Sequence, residues 1–317
     1  MKMPRFSAIV PLAAACLALG FQSAQAVIVA GTLGTGNNNS TEAGLNSFLS
    51  TTAYSAFPYW ENMVRVADAS GVYLGYNAST MRGWVMSANH VTTPASITVG
   101  GNTYSVTGSA QIGSSDIKLY QIGGGVSDPA LPALPTVALP GVFASTGDFL
   151  LMLGRGFSTT SSAPYTWGTP GTSDANGMRW ATNTVEGGAY VNFGTVASPN
   201  YQPYLVTDFD GPSDPGATAY DGQAALGDSG GGMFIHRDGQ WFLSGIAHFV
   251  DDGPNFLEAS PTGDGIVNPA QTGDFSAYTD VRSYAAAITG VTGTLVPEPS
   301  VCSLLALALM GWRRRRD

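Results

Sequence analysis

Apolar residues along this chain come in short runs broken by turn residues. Gly71-Val72-Tyr73-Leu74, Trp84-Val85-Met86, Ile97-Thr98-Val99, Tyr104-Ser105-Val106 and Ile117 to Ile122 read as strands. Gly100-Gly101-Asn102, lying between two of them, is a hairpin signal. A second series comprises Phe149 to Leu153, Ala189 to Phe193, Tyr204 to Val206, Met233 to Ile235 and Phe242 to Ala247. Short strands at this spacing predict a barrel or sandwich in each half. Between the series, Pro129, Pro132, Pro135 and Pro140 exclude helix and central strand and predict an extended connection between two lobes. One helix is expected over Asp280 to Ile288, with Thr279 as its cap and Gly290 as its end. On it, Val281, Tyr284 and Ile288 share a face. Two loops, Asp208 to Asp221 and Val250 to Asp274, are rich in Gly, Pro and Asp.

Composition sharpens this picture. The 317 residues leave room for two domains of roughly 100–200 residues each. Hydrophobic residues at 44% can fill a core, and charged residues are only 11%, which excludes a disordered chain. The 41 glycines favour turns over helices. The only cysteines, Cys16 and Cys302, lie near the two ends. The body therefore has no internal disulfide, zinc-thiolate site or cysteine nucleophile. Six of the 13 basic and two of the 22 acidic residues also fall in the ends, leaving 7 basic and 20 acidic residues between. A body this acidic offers no basic face for phosphates, so no nucleic-acid partner is expected.

The ends read as addresses. Lys2 and Arg5, the apolar stretch Ala8 to Leu19 and Ala24-Gln25-Ala26 form a secretory signal over 1–26, its apolar run short for a retained anchor. At the other end, Val296-Pro297-Glu298-Pro299-Ser300 precedes an apolar stretch, Val301 to Trp312, and four arginines. The stretch is short for a full span, and the arginines would hold the end on the cytoplasmic side. This order resembles the PEP-CTERM sorting signal. The resemblance implies a transient membrane contact, processing by signal peptidase and an exosortase-type enzyme, and delivery to the bacterial surface or extracellular matrix. A permanent membrane anchor is the alternative.

Gly227-Asp228-Ser229-Gly230-Gly231 carries the strongest chemical signal. A serine becomes a nucleophile only beside a base, and its reaction needs donors for an oxyanion. Taken alone, the string also fits the elbow of α/β-hydrolases or a glycine-rich turn. The histidines discriminate. His236 and His248 follow Ser229 by only 7 and 19 residues, too few for the hydrolase order. His90 ends a strand-like run, Asp116 heads another, and the order His90, Asp116, Ser229 is that of chymotrypsin.

Trp84-Val85-Met86-Ser87-Ala88-Asn89-His90, Asp116-Ile117-Lys118-Leu119-Tyr120, the G-D-S-G-G string, Leu243-Ser244-Gly245-Ile246 and Tyr278-Thr279-Asp280-Val281 together resemble the trypsin/chymotrypsin-like serine proteases, over roughly 28–290. The resemblance implies an all-β fold of two Greek-key β-barrels with a short C-terminal helix. The expected organisation is a signal peptide over 1–26, a barrel over 27–140 with His90 and Asp116, a barrel over 141–292 with Ser229 and the helix, and a sorting tail over 293–317. It further implies a serine endopeptidase acting on protein or peptide substrates, with catalytic His90, Asp116 and Ser229 and an oxyanion hole from the amides of Gly227 and Ser229. Asp228 is implied to pair with a freed N-terminal ammonium at Ile28-Val29-Ala30-Gly31, and cleavage after Ala26 leaves Val27 first. The specificity pocket maps to Gln223, Val250 and Ser276, which together imply a preference for small or medium uncharged side chains. His248 stands where the family has a serine beside its aspartate, and either contacts Asp116 or fills space. His236, before a turn, is expected to be exposed. No cofactor or metal is required. Asp208, Asp210 and Asp214 are a weak candidate for structural calcium, with a solvated loop as the alternative. A catalytically inert binding protein on the same scaffold, or an esterase-like hydrolase, is the rival functional reading.

Overall fold

The computed structural model describes residues 27–30, 39–156, 177–225, 227–251 and 274–296. The expected signal peptide, the tail from residue 297 onward and most of the 250–274 loop lie outside this range.

The first lobe contains β2 (Met63–Val66), β3 (Ala69–Asn77), β4 (Arg82–Ala88), β5 (Ser96–Val99), β6 (Asn102–Gln111) and β7 (Ile117–Ile122), after the two-residue β1 (Ile28–Val29) and helix α1 (Glu42–Leu49). These six strands form one antiparallel sheet in the order β2-β3-β4-β7-β6-β5, and β2 returns against β5 so that the barrel nearly closes. The meander β5-β6-β7 comes back beside β4, a Greek-key step. The expected hairpin turns at Gly100 and Gly101, whose φ values are 55° and 81°.

The second lobe contains β8 (Phe149–Gly154), β9 (Arg179–Thr184), β10 (Gly187–Asn192), β11 (Tyr201–Asp208), β12 (Gly222–Gln223), β13 (Gly232–Arg237), β14 (Gln240–Asp251) and β15 (Phe275–Asp280), followed by helix α2 (Val281–Thr292). Seven of them form a sheet in the order β10-β11-β15-β14-β13-β8-β9, while β12 pairs with β1. The expected all-β fold of two lobes with a short C-terminal helix is the one observed, as a six-stranded, nearly closed barrel and a seven-stranded sheet.

Period-two burial holds the lobes together. On β8, Leu150 and Met152 enter the core of the second lobe, while Leu151 and Leu153 face a larger cluster shared with the first barrel. The proline-rich connection runs between the sheets in extended form. Asn62 Nδ2 donates to the Pro135 carbonyl at 2.8 Å, Val137 N to Leu74 O at 2.9 Å, and Leu243 N to Ala138 O at 2.9 Å. Both lobes thus use its backbone groups in place of a neighbouring strand.

Two local readings need correction. Helix α2 is capped by Asp280, whose carboxylate accepts from Arg282 N at 3.0 Å, and it runs through Gly290 to Gly293. Asp280, the last residue of β15, takes the cap, while Thr279 is fully buried within the strand, paired with Tyr204 and Ile246. His236 is half-buried: its Nε2 lies 3.1 Å from Ser55 Oγ, and its ring packs edge-on against Tyr54 and Trp241. Helix α1 was not expected. Its eight residues hold only two buried apolar positions, Leu45 and Leu49, so its periodicity is too brief to read. Among the described residues no helix is long and apolar enough to cross a membrane.

Candidate active site

The β4–β7 ladder pairs Ala88 with Ile117, which places the residues after β4 beside those before β7. Two backbone contacts tighten this corner. Asn89 N donates to the Asp116 carbonyl at 3.0 Å, and His90 N donates to Asp116 Oδ1 at 3.0 Å. The other carboxylate oxygen, Oδ2, lies 2.8 Å from His90 Nδ1. A carboxylate can only accept here, so it holds the His90 proton on Nδ1 and leaves Nε2 with a lone pair. Ser229 Oγ sits 2.8 Å from that Nε2. The three side chains come from two lobes and form one continuous hydrogen-bonded line. Asp116 is buried and His90 is exposed, so the line runs from the interior to solvent.

Ser229 stands on the loop between β12 and β13, where Gly227 and Gly230 have φ values of 91° and 82°. Ser70, on β3 of the opposite lobe, fastens this loop: its N–H donates to Ser229 O at 2.9 Å and its Oγ to Gly227 O at 3.0 Å. A Cβ on Gly230 would overlap Ser87 Oγ and the Ser70 carbonyl oxygen. Glycine there permits both the left-handed backbone and the approach of the lobes. Nothing in the sequence distinguishes Ser70 from other serines, and it was not anticipated.

Asp228 is 1% exposed. Its Oδ2 accepts from Ala225 N at 2.9 Å, but Oδ1 has no hydrogen-bond partner among the described residues. Burial pushes its carboxyl well above the ordinary range, with backbone bonds from Ala225 and Gly156 opposing. The β1–β12 ladder pairs Val29 with Gly222 and Ile28 with Gln223. Continued by one residue, that register brings buried Val27 opposite Ala224, next to the amide that binds Asp228.

Gln223, Val250 and Ser276 are brought together. Val250 and Ser276 are cross-strand partners on β14 and β15. Ser276 Oγ accepts from Ala224 N at 2.9 Å, and Gln223 Nε2 donates to Phe275 O at 3.5 Å. Asp208, Asp210 and Asp214 do not converge into a three-ligand group; Asp214 Oδ2 instead accepts from Gly211 N at 2.8 Å.

His248 does contact Asp116. It is the extra residue of a bulge in β14, between the pairs Ala247–Tyr278 and Phe249–Ala277, and a bulge re-aims a side chain. Its Nε2 lies 3.4 Å from Asp116 Oδ2, its ring stacks on His90 with centroids 5.2 Å apart, and its Nδ1 is 2.5 Å from the Tyr204 hydroxyl. Burial pushes its imidazole down to about 4, outweighing the upward pull of Asp116. It is therefore neutral at ordinary pH and forms no ion pair. One donor atom each from His90, Asp116 and His248 lies within 4.8 Å of the others, the one such group of three among the described residues.

No protein-family model matches the chain, and no curated protein matches it. Among solved structures it is similar to neuropsin, a serine protease expressed in the limbic system of mouse brain, at 17% identity and a TM-score of 0.45, covering 74% of this chain and 96% of that one. It is also similar to the active form of the Rv3671c protease from M. tuberculosis, at 13% identity and a TM-score of 0.43, covering 75% of this chain and 82% of that one.

Proposed function

We propose that this chain is an exported serine endopeptidase. The observation that carries the reading is the unbroken line Asp116–His90–Ser229, with 2.8 Å at each of its two links. Ser229 attacks the scissile carbonyl while His90 Nε2 takes its hydroxyl proton, and Asp116 stabilises the resulting imidazolium. The amides of Gly227 and Ser229 receive the oxyanion. As the C–N bond breaks, His90 returns the proton to the leaving amine, and water repeats the sequence on the acyl-enzyme. No step requires a cofactor.

The uncharged Gln223, with Val250 and Ser276 beside it, supports a preference for small or medium uncharged side chains at the cleavage site. The buried Asp228 supports an activating N-terminal ammonium, and the ladder register favours Val27 as its source. Val27 is also the residue that cleavage after Ala26 would leave first, so export itself would produce the active end. The tail pattern after Val296 supports sorting to a bacterial surface or matrix by an exosortase-type enzyme.

The test is a fluorophosphonate probe applied to purified 27–296, beside Ser229→Ala and His90→Ala, followed by a peptide-library scan. Labelling of Ser229 that both substitutions abolish, with cleavage after uncharged residues, is the expected result. A folded chain beginning at Val27 that never labels would overturn the enzymatic reading in favour of an inert binding scaffold. Strong cleavage after Arg or Lys would overturn the pocket assignment alone.

A further inference from the structure

The serine chemistry leaves one arrangement around Asp116 without a use. A chain of hydrogen bonds orients the ring of His248. Gln202 Nε2 donates to Ser114 O at 2.6 Å, which turns Gln202 Oε1 toward Tyr204 as an acceptor. The Tyr204 hydroxyl lies 3.2 Å from that oxygen and 2.5 Å from His248 Nδ1. The ring so held faces Asp116 Oδ2 with Nε2 at 3.4 Å, and His90 Nδ1 lies 2.8 Å from the same oxygen. Ligation through Nε2 takes the neutral tautomer with the proton on Nδ1, which the Tyr204 oxygen can accept.

We propose that His248 Nε2, Asp116 Oδ2 and His90 Nδ1 form a binding site for one divalent transition-metal cation of the zinc class, and that its occupation silences Ser229. Tetrahedral zinc with bonds of roughly 2.0–2.2 Å to nitrogen and oxygen sets its ligand atoms roughly 3.3–3.5 Å apart. The His248–Asp116 separation of 3.4 Å already has that value. The His90–Asp116 contact must open by about 0.5 Å to reach it, and the His90 side chain, 43% exposed, has room to swing. Tyr204 on the far nitrogen supplies the outer hydrogen bond that orients a metal-binding imidazole. Phe193 and Phe249, each with its ring centroid 5.2 Å from that of His248, dry the inner side.

The protons balance. For His90 to ligate through Nδ1, its Nδ1–H is lost and Nε2 gains a proton, leaving the ring neutral. A protonated Nε2 cannot accept the Ser229 hydroxyl proton, so the nucleophile is not activated. Chelation restores the original tautomer. This silencing rests on the serine-hydrolase reading, whereas binding of the cation does not.

The test separates the two. Zinc is titrated into the Ser229→Ala chain by calorimetry, cobalt is substituted and its visible spectrum recorded, and the ring nitrogens are followed by nitrogen NMR. One equivalent, a tetrahedral cobalt spectrum and a coordination shift at His248 Nε2 are expected. His248→Ala should weaken binding about 100-fold. Should that variant fold poorly, Tyr204→Phe provides the second arm, with an expected loss of about 10-fold through the lost outer hydrogen bond to Nδ1. In the unsubstituted chain, zinc should slow fluorophosphonate labelling reversibly. In His248→Ala the half-inhibiting concentration should rise about 100-fold, measured against that variant's own zinc-free rate. No binding by Ser229→Ala, in a protein whose unsubstituted form labels, overturns the metal site and leaves the enzyme standing. Binding at His248 in a chain that never labels supports the site and overturns the serine reading. Binding that leaves labelling untouched overturns the silencing.

Discussion

The two lobes bury carboxylates in different ways. Among the described residues the first lobe buries one, Asp116, and the second buries Asp221, Asp228, Asp274 and Asp280. Asp116 has both oxygens committed to His90, one to its amide and one to its ring. The acids of the second lobe mostly hold loops. Asp280 caps α2, Asp221 accepts from the amides of Asp210 and Thr218, and Asp228 keeps one oxygen without a partner. The His90 half of the site is thus set by a strand ladder and one acid. The Ser229 half sits on a loop, and its geometry depends on buried polar groups and close-approach glycines. Damage of similar local size should cost far more activity in the second lobe than in the first.

Gly230→Ala against Gly101→Ala is the most severe test of that asymmetry. Both positions have positive φ, but a Cβ at Gly101 meets nothing within 4 Å, whereas at Gly230 it meets the Ser70 backbone. Gly101→Ala should cost roughly 1–2 kcal/mol, the penalty of the left-handed conformation, and keep its labelling. Gly230→Ala should cost about 3 kcal/mol or more, since backbone cannot step aside, and should slow labelling by about 100-fold through a displaced Ser229. Equal losses in the two variants, by denaturant unfolding and probe kinetics, would sink the comparison.

Next in size is the terminus. Under the proposed pairing, a chain that starts at Val27 places its ammonium beside Asp228, and one that starts at Gln25 does not. Breaking a buried pair costs about 3 kcal/mol or more, so the shorter chain should be the more stable by about that amount. It should also label about 10-fold faster, because Asp228 adjoins Ser229. Asp228→Asn should erase both differences. Identical melting and labelling for the two starts would show that Asp228 takes no partner from β1.

Much of this architecture was legible because burial here follows simple periods. β7 and β8 read directly as alternating or apolar runs, and the proline spacing marked the connection. β9 was invisible because Thr182 and Asn183 are buried on bonds to Thr218 and Asp208, which cancels the alternation. His90, Asp116 and Ser229 were legible through their local strings, and the structure brings them into line. The Tyr204–Gln202–Ser114 chain behind His248 was not. It depends on a bulge and on strands distant in sequence, and no spacing encodes it. The amides of Gly227 and Ser229 and the trio Gln223, Val250 and Ser276 were reached only through resemblance.

The smallest effect concerns pH and belongs to the second lobe alone. Burial pushes the Asp221 carboxyl up to about 7, although hydrogen bonds from Thr218 and Asp210 pull the other way. In the unfolded chain the group returns to its ordinary value of 3.8. Between these values the folded protein holds a proton that the unfolded chain has lost. The stabilisation is therefore full below the unfolded value, shrinks as pH rises, and is gone above about 7. Over about pH 5 to 7 the loss from this residue should approach 2 kcal/mol. Asp221→Asn cannot titrate, so its melting temperature should fall less than that of the unsubstituted chain over the same interval. Labelling at fixed pH should stay within about twofold, since Asp221 holds the loop ahead of β12 and not Ser229 itself. A parallel pH dependence in both chains would mean that Asp221 is ionised in the fold and that hydrogen bonding outweighs burial there.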